Sequence, residues 1–145
     1  MMLYLNGSDI AHLTLGCKEN EGTWQFESFD VSPEQFLKTI DGFLHAQQKS
    51  IEDVESIFIV VGPGSATSLR ASISIANTWH FVRKIALHGI EKTAEQSDED
   101  ALNTYTQKEQ GSAEHQIYLE PKYSQGPQIT ASNKDQLGRP MASNS

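Results

Sequence analysis

Apolar and polar positions alternate along this chain with changing periods, and each change of period marks an element. Met2 to Leu5 is a short apolar run stopped by Asn6-Gly7-Ser8. That is turn chemistry, and it predicts a first strand followed by a hairpin. Ile10 to Cys17 is the expected second strand, and Glu19 to Gly22 is polar and turn-like. Thr23 to Phe29 reads as a third strand, although Trp24, Glu27 and Phe29 are out of strict phase. Three strands in succession imply an antiparallel meander.

The period then becomes helical. Ser32-Pro33-Glu34-Gln35 offers a capping serine, proline at the first helical position and a glutamine placed to close a capping box. The helix it opens is expected to run to about Gln48, with Phe36, Leu37, Ile40, Phe43, Leu44 and Ala46 covering roughly half the circumference, against the ~100° needed to lie on one core. After the connector Ser50 to Val54, Ile57 to Val61 is apolar without alternation, as in a central strand covered on both faces. Gly62-Pro63-Gly64-Ser65 leads into a second helix, Thr67 to Arg83. Its apolar residues Leu69, Ala71, Ile73, Ile75, Ala76, Trp79 and Val82 spread over about 200°, with Arg70, Ser74 and Asn77 as a narrow polar edge. Ile85 to Ile90 is a further strand. The order predicts an α/β lobe, 1–90, built on a mixed five-stranded sheet with two helices.

Beyond it the composition changes. Residues 91–115 are rich in Glu, Gln, Asp, Ser, Thr and Lys without clear periodicity and are expected to form a polar, flexible insert. Residues 116–130, containing IYLEPKYSQGPQIT, have enough apolar residues and proline to dock as an extended segment, and 131–145 reads as a disordered tail.

Charge narrows the function classes. A net charge of −8 repels nucleic-acid phosphates, and no run of Lys or Arg interleaves with aromatics, so direct nucleic-acid binding is not expected. The single cysteine, Cys17, cannot form an internal disulfide. No apolar run approaches the roughly 18 residues of a membrane span, and Met1 to Leu5 is too short for a secretory core. A cytoplasmic protein without membrane association is the expectation.

Few residues carry recognisable chemistry. A strand ending in a glycine-rich turn that opens a helix can hold an anion on free N–H groups, which makes Gly62, Gly64 and Ser65 weak cofactor-binding candidates. The Lys-Ser/Thr that ends a Walker loop is absent, however, and so is the third glycine of a dinucleotide fingerprint. On geometry alone a strand-to-helix corner is the simpler reading. His12, His45, His80, His88 and His115 fall in no metal-ligand spacing. Ser65 has no nucleophile-elbow context, and Glu52, Asp53 and Glu55 read as a solvated connector. No catalytic residue, metal or cofactor is assigned.

Gly62-Pro63-Gly64-Ser65-Ala66-Thr67-Ser68-Leu69-Arg70 resembles the G-P-G-S-F-T-G-L-R segment of the TsaB family, bacterial scaffold proteins of tRNA threonylcarbamoyladenosine biosynthesis that have also been described as glycoprotease-like. The resemblance extends over Met1 to about Ile90 and implies an actin-like, ribonuclease-H-like first lobe with the element order read above. Pro121-x-Tyr123 is similar to a Pro-x-Tyr near the family's C-terminus. Four departures accompany the match. Asn6-Gly7-Ser8 stands where related proteins carry Asp-Thr-Ser, Ala66 replaces Phe, and Ser68 replaces Gly. The stretch between Ile90 and Gln116 is too short and too polar for the family's second lobe, so the expectation is a form truncated to one lobe.

The resemblance implies a non-catalytic scaffold that binds a TsaD-type threonylcarbamoyl transferase through its two helices, or a second copy of itself in the transferase's absence. The surplus apolar width of the helices makes Leu37, Ile40, Leu44, Ser72, Ile73, Ile75, Ala76 and Trp79 the expected interface, with Ala71 allowing close approach. The alternatives are a small phosphate- or nucleotide-binding module on Gly62 to Ser65 and a self-standing peptidase.

Overall fold

The computed structural model describes residues 1–108. The expected docking segment 116–130 and tail 131–145 lie outside the described residues, as does the end of the 91–115 stretch.

Five strands form one mixed sheet, as the sequence predicts; counted in chain order, they lie side by side as third, second, first, fourth and fifth. β1 (Met2–Asp9), β2 (His12–Lys18) and β3 (Gln25–Phe29) are the antiparallel meander. β4 (Ser56–Gly62) adds parallel to β1, and β5 (Ala86–Glu91) parallel to β4. The hairpin turn is not at Asn6-Gly7-Ser8, which continues β1, with Asn6 paired to Thr14. The chain reverses at Ile10-Ala11 instead, where the Asp9 carboxylate accepts the Ala11 N–H at 2.9 Å and closes an Asx turn. Gly7 has a different purpose. A Cβ there would stand 2.9 Å from the Phe36 ring and 3.0 Å from the Ser72 side chain, so the glycine lets both helices approach β1.

Strand alternation divides the core in two. Leu3, Leu5, Leu13, Leu15, Ile57, Ile59 and Leu87 point to one face, where α1 (Phe36–Ala46) and α2 (Ala66–Arg83) cover them. Tyr4, Val60 and Ile90 point to the other. β1 and β4 are therefore buried on both sides, which is why their sequences read as apolar runs rather than alternations.

A short 3₁₀ turn, Pro33–Gln35, opens α1, and Ser32 makes no side-chain cap there. The reciprocal capping box is found in the connector before β4, between Ser50 and Asp53. α1 ends in a Schellman arrangement: Gln48 takes φ 61°, and the Gln48 and Lys49 N–H groups donate to the carbonyls of His45 and Leu44.

A third helix, α3 (Asp98–Lys108), corrects the expectation of an unpacked insert. Ser97 Oγ accepts the Asp100 N–H at 3.0 Å, and Asp98, Glu99 and Asp100 complement the helix N-terminus. Ala101 and Leu102 are fully covered against Tyr4, Val60 and Ile90, and Tyr105 packs beside them. Three apolar residues in eleven leave no wide stripe to detect, so the helix depends on the sheet for its stability. Among the described residues no helix is long and apolar enough to cross a membrane.

Leu102 is accordingly a core residue. Leu102→Ala is expected to cost about 2–5 kcal/mol in urea denaturation, whereas Thr104→Ala on the exposed side stays within ~0.5 kcal/mol.

Candidate functional site

The turn after β4 was the first candidate, and its geometry is that of a locked corner. Gly62 has φ 144°, a conformation that side-chain-bearing residues rarely adopt. A Cβ on Gly64 would lie 2.6 Å from both the carbonyl oxygen and Cβ of Ser8, so the turn rests directly on the end of β1. The Ser65 N–H donates to the Ser8 carbonyl at 2.9 Å, and the Ser65 hydroxyl accepts the Ser68 N–H at 3.5 Å as the cap of α2. An anion at this helix end would have to compete with those contacts. The shallow cleft beside the turn, about 580 Å³, is lined by Ser8, Asp9 and Lys92 among others. Lys92 Nζ donates to the Thr93 carbonyl at 3.3 Å, and Asp9 brings a carboxylate of the wrong sign for a phosphate.

A polar cluster lies behind it. Asn6 occupies the position where the resemblance led to an acid in β1, and a carboxylate reaches the same place from α3. Asp98 Oδ1 accepts from Asn6 Nδ2 at 2.8 Å and from the Tyr4 hydroxyl. Asn6 Oδ1 in turn accepts the Ser8 N–H at 3.1 Å and the Ser8 hydroxyl at 2.7 Å. Burial, reinforced by the hydrogen bond and charge of Asp98, pushes the Tyr4 phenol well above its ordinary range, so it remains a donor. The cluster ties α3 to β1.

The four described histidines do not converge, and His115 lies outside the described residues. His12 faces Asp30 at 3.0 Å, His45 faces Asp41 at 3.7 Å, His80 Nδ1 lies 2.7 Å from the Ile85 carbonyl, and His88 Nδ1 lies 2.9 Å from the Tyr105 hydroxyl. Among the described residues no group of three or more His, Cys, Asp or Glu could hold a metal ion. Burial, then Glu19, pushes the Cys17 thiol up, away from the reactive thiolate.

The helical face expected to meet a partner divides sharply. Ile40, Leu44, Ser72, Ile73 and Ala76 are buried at 3% exposure or less; Ile40, Leu44, Ser72 and Ala76 are taken up by the core and cannot be surface anchors of this fold, while Ile73 also lines the floor of a groove beside α2. Their i, i+3/i+4 spacing marks the sheet-facing stripe, which the ~200° apolar arc had concealed. Ile75 and Trp79 are half-buried against the same core, while Leu37 is 53% exposed.

Phe81 and Val82, at 70% and 65%, are the most exposed large apolar side chains among the described residues, and neither had been placed in the expected interface. A signal was available for Phe81. It closes the helical row Thr67, Ala71, Ser74, Thr78, opposite the row that the sheet covers. That outward row forms one wall of an open groove of about 940 Å³, with Pro33 and Glu34 on the other side. Leu37 stands one turn along from those two residues.

Comparison with known proteins bears on this arrangement. A family model described as TsaD, tRNA N6-adenosine threonylcarbamoyltransferase, matches residues 32–105. None of the curated proteins matches the chain. Solved structures that share the fold include two from Pseudomonas aeruginosa. One is a crystal structure of an uncharacterized protein with similarity to peptidase YEAZ from Pseudomonas aeruginosa, with 18% identity and a TM-score of 0.58. The other is YeaZ from Pseudomonas aeruginosa, with 20% identity and a TM-score of 0.58. Each similarity covers 76% of this chain and 49% of the other, so the chain spans about half the length of the structures it matches.

Two substitutions test the corner and the cluster. Gly64→Ala forces a Cβ into the Ser8 backbone and is expected to lower stability by about 1–3 kcal/mol in chemical denaturation. Asn6→Asp sets a second carboxylate against Asp98, and their repulsion is expected to cost about 1–3 kcal/mol at pH 7 and less at pH 4. Adding Asp98→Asn removes the repulsion, and denaturation from pH 4 to 8 reads both effects.

Proposed function

The chain belongs to the TsaD family, described as tRNA N6-adenosine threonylcarbamoyltransferase, and we propose that it serves there as a non-catalytic, TsaB-like scaffold subunit that binds a TsaD-type transferase through the outward side of α1 and α2. The observation that carries this reading is the exposed row on α2. One side of the helix is buried on the sheet, while the opposite side leaves Phe81 in water at an open groove, with Val82 exposed next to it in sequence. Large apolar side chains grouped at a groove are the usual mark of an interaction surface.

The residues suit a helix as partner. Ala71, Ser74 and Thr78 are small, which permits the ~8–10 Å interaxial distance at which ridges and grooves interlock. Phe81 and Leu37 are the anchors, and the charged side chains of Glu34 and Arg70 line the same groove. A net charge of −8 disfavours direct tRNA binding, which supports a part in the modification that runs through the partner. Without the transferase, the same face pairs with a second copy. A phosphate module on Gly62 to Ser65 is less well supported, because the Ser65 N–H and side chain are engaged by Ser8 and Ser68.

Co-expression with a tagged TsaD-type transferase tests the reading. Phe81→Glu and Ser74→Glu, both at exposed positions of the groove, are expected to weaken capture by about thirtyfold or more in Kd, the equivalent of ~2 kcal/mol, with circular dichroism and denaturation midpoint unchanged. Leu69→Glu, at a fully buried position outside the groove, should instead unfold the chain. Capture that survives both surface substitutions at wild-type affinity overturns the proposal.

A further inference from the structure

The second face of the sheet is only partly covered. α3 packs on Tyr4, Val60 and Ile90, while Trp24, Phe26 and Phe58 form a half-buried aromatic surface reaching toward the β3 edge. Phe26 lies over Gly16, where a Cβ would come within 2.8 Å of the ring. Trp24 stacks on Phe26 at 6.1 Å between centroids and meets Phe58 edge-on at 5.8 Å. Rings held this rigidly, with faces still in reach of water, form a platform for an apolar ligand.

The chain itself supplies an occupant. α3 ends at Lys108 on this same side of the sheet, and 37 residues follow, 109–145. In Ile117-Tyr118-Leu119-Glu120-Pro121-Lys122-Tyr123 the residues Ile117, Leu119, Pro121 and Tyr123 alternate with Tyr118, Glu120 and Lys122. That period of two places one apolar and one mainly polar face on an extended segment. Pro121 lacks an N–H, which suits a segment lying on side chains better than one inserted into a ladder. The residues between Lys108 and Ile117 reach about 26–29 Å when extended, more than the roughly 19 Å across five strands. We propose that residues 117–123 lie across the open part of this face, with Leu119, Pro121 and Tyr123 against Trp24, Phe26 and Phe58. This is independent of the proposed partner surface, which lies on the opposite side of the sheet.

Trp24 reports the contact directly, because the only other tryptophan is Trp79 on α2. In a full-length Cys17→Ser, Trp79→Phe chain, a nitroxide on Glu120→Cys is expected to quench most of the Trp24 emission, and the same label on Ser132→Cys to quench little. Leu119→Asp and Tyr123→Asp should each abolish the quenching while leaving circular dichroism unchanged. If Trp79→Phe does not fold, the difference between Trp79-containing chains with Trp24 and with Trp24→Phe isolates the same signal. Equal quenching from both label positions overturns the proposal. Quenching that rises with protein concentration overturns it as well, because the occupant is then a second copy.

Discussion

The parallel pairing of β1 with β4 is the constraint on which the other parts depend. Leu3 lies beside Ile57 and Leu5 beside Ile59 on one face, while Tyr4 lies beside Phe58 on the other. Both strands are covered above and below, so neither can slip by one residue without moving an aliphatic side chain out of one core and an aromatic one into it. α1 and α2 lie on the aliphatic face and α3 on the aromatic one. Where β4 ends beside the end of β1 the chain must turn into α2 close against Ser8, and that crowding explains Gly64, while the positive φ of the turn explains Gly62.

Polar contacts connect the same parts in series. Asp98 on α3 holds Asn6, Asn6 holds Ser8, and the Ser8 carbonyl holds the N–H of Ser65, the residue that caps α2. The start of α2 is thus coupled through β1 to a helix on the far side of the sheet. Each link is a neutral or singly charged hydrogen bond with its acceptor occupied, which favours one geometry over alternatives. For a protein whose proposed work is to present a helical face, such rigidity reduces the ordering that binding would otherwise require. The residues at the corner therefore have a complete account as architecture, and the chemistry a glycine-rich turn can perform elsewhere does not have to be invoked.

The helical surfaces show how one residue pattern supports two outcomes. The apolar arc of α2 contains both the stripe that the sheet covers, Leu69, Ile73 and Ala76, and the residues left at its margins, Ile75, Trp79 and Val82. A wide arc does indicate surplus apolar surface, but only the backing sheet determines which part is surplus. Burial assigns the smaller and more regularly spaced residues to the core and leaves Phe81 and Val82 outside. The aromatic face behind β1 has a similar logic, with α3 covering the part nearest β5 and leaving Trp24 and Phe26 half-buried.

The sequence by itself determined the order of elements over 1–90, the double burial of the central strands, the corner after β4 and the family resemblance, because these rest on local periodicity and on short motifs. Tertiary structure decided the rest. The hairpin reverses at Ile10-Ala11 because Asn6 and Gly7 find partners across the sheet and beneath the helices, which local turn propensity does not see. α3 forms because Ala101, Leu102 and Tyr105 have an aromatic surface to cover, although its own sequence is too polar to declare a helix. The outward face of α2 was legible only as an excess of width, since a period reveals how much of a helix is apolar and not which side the sheet will take.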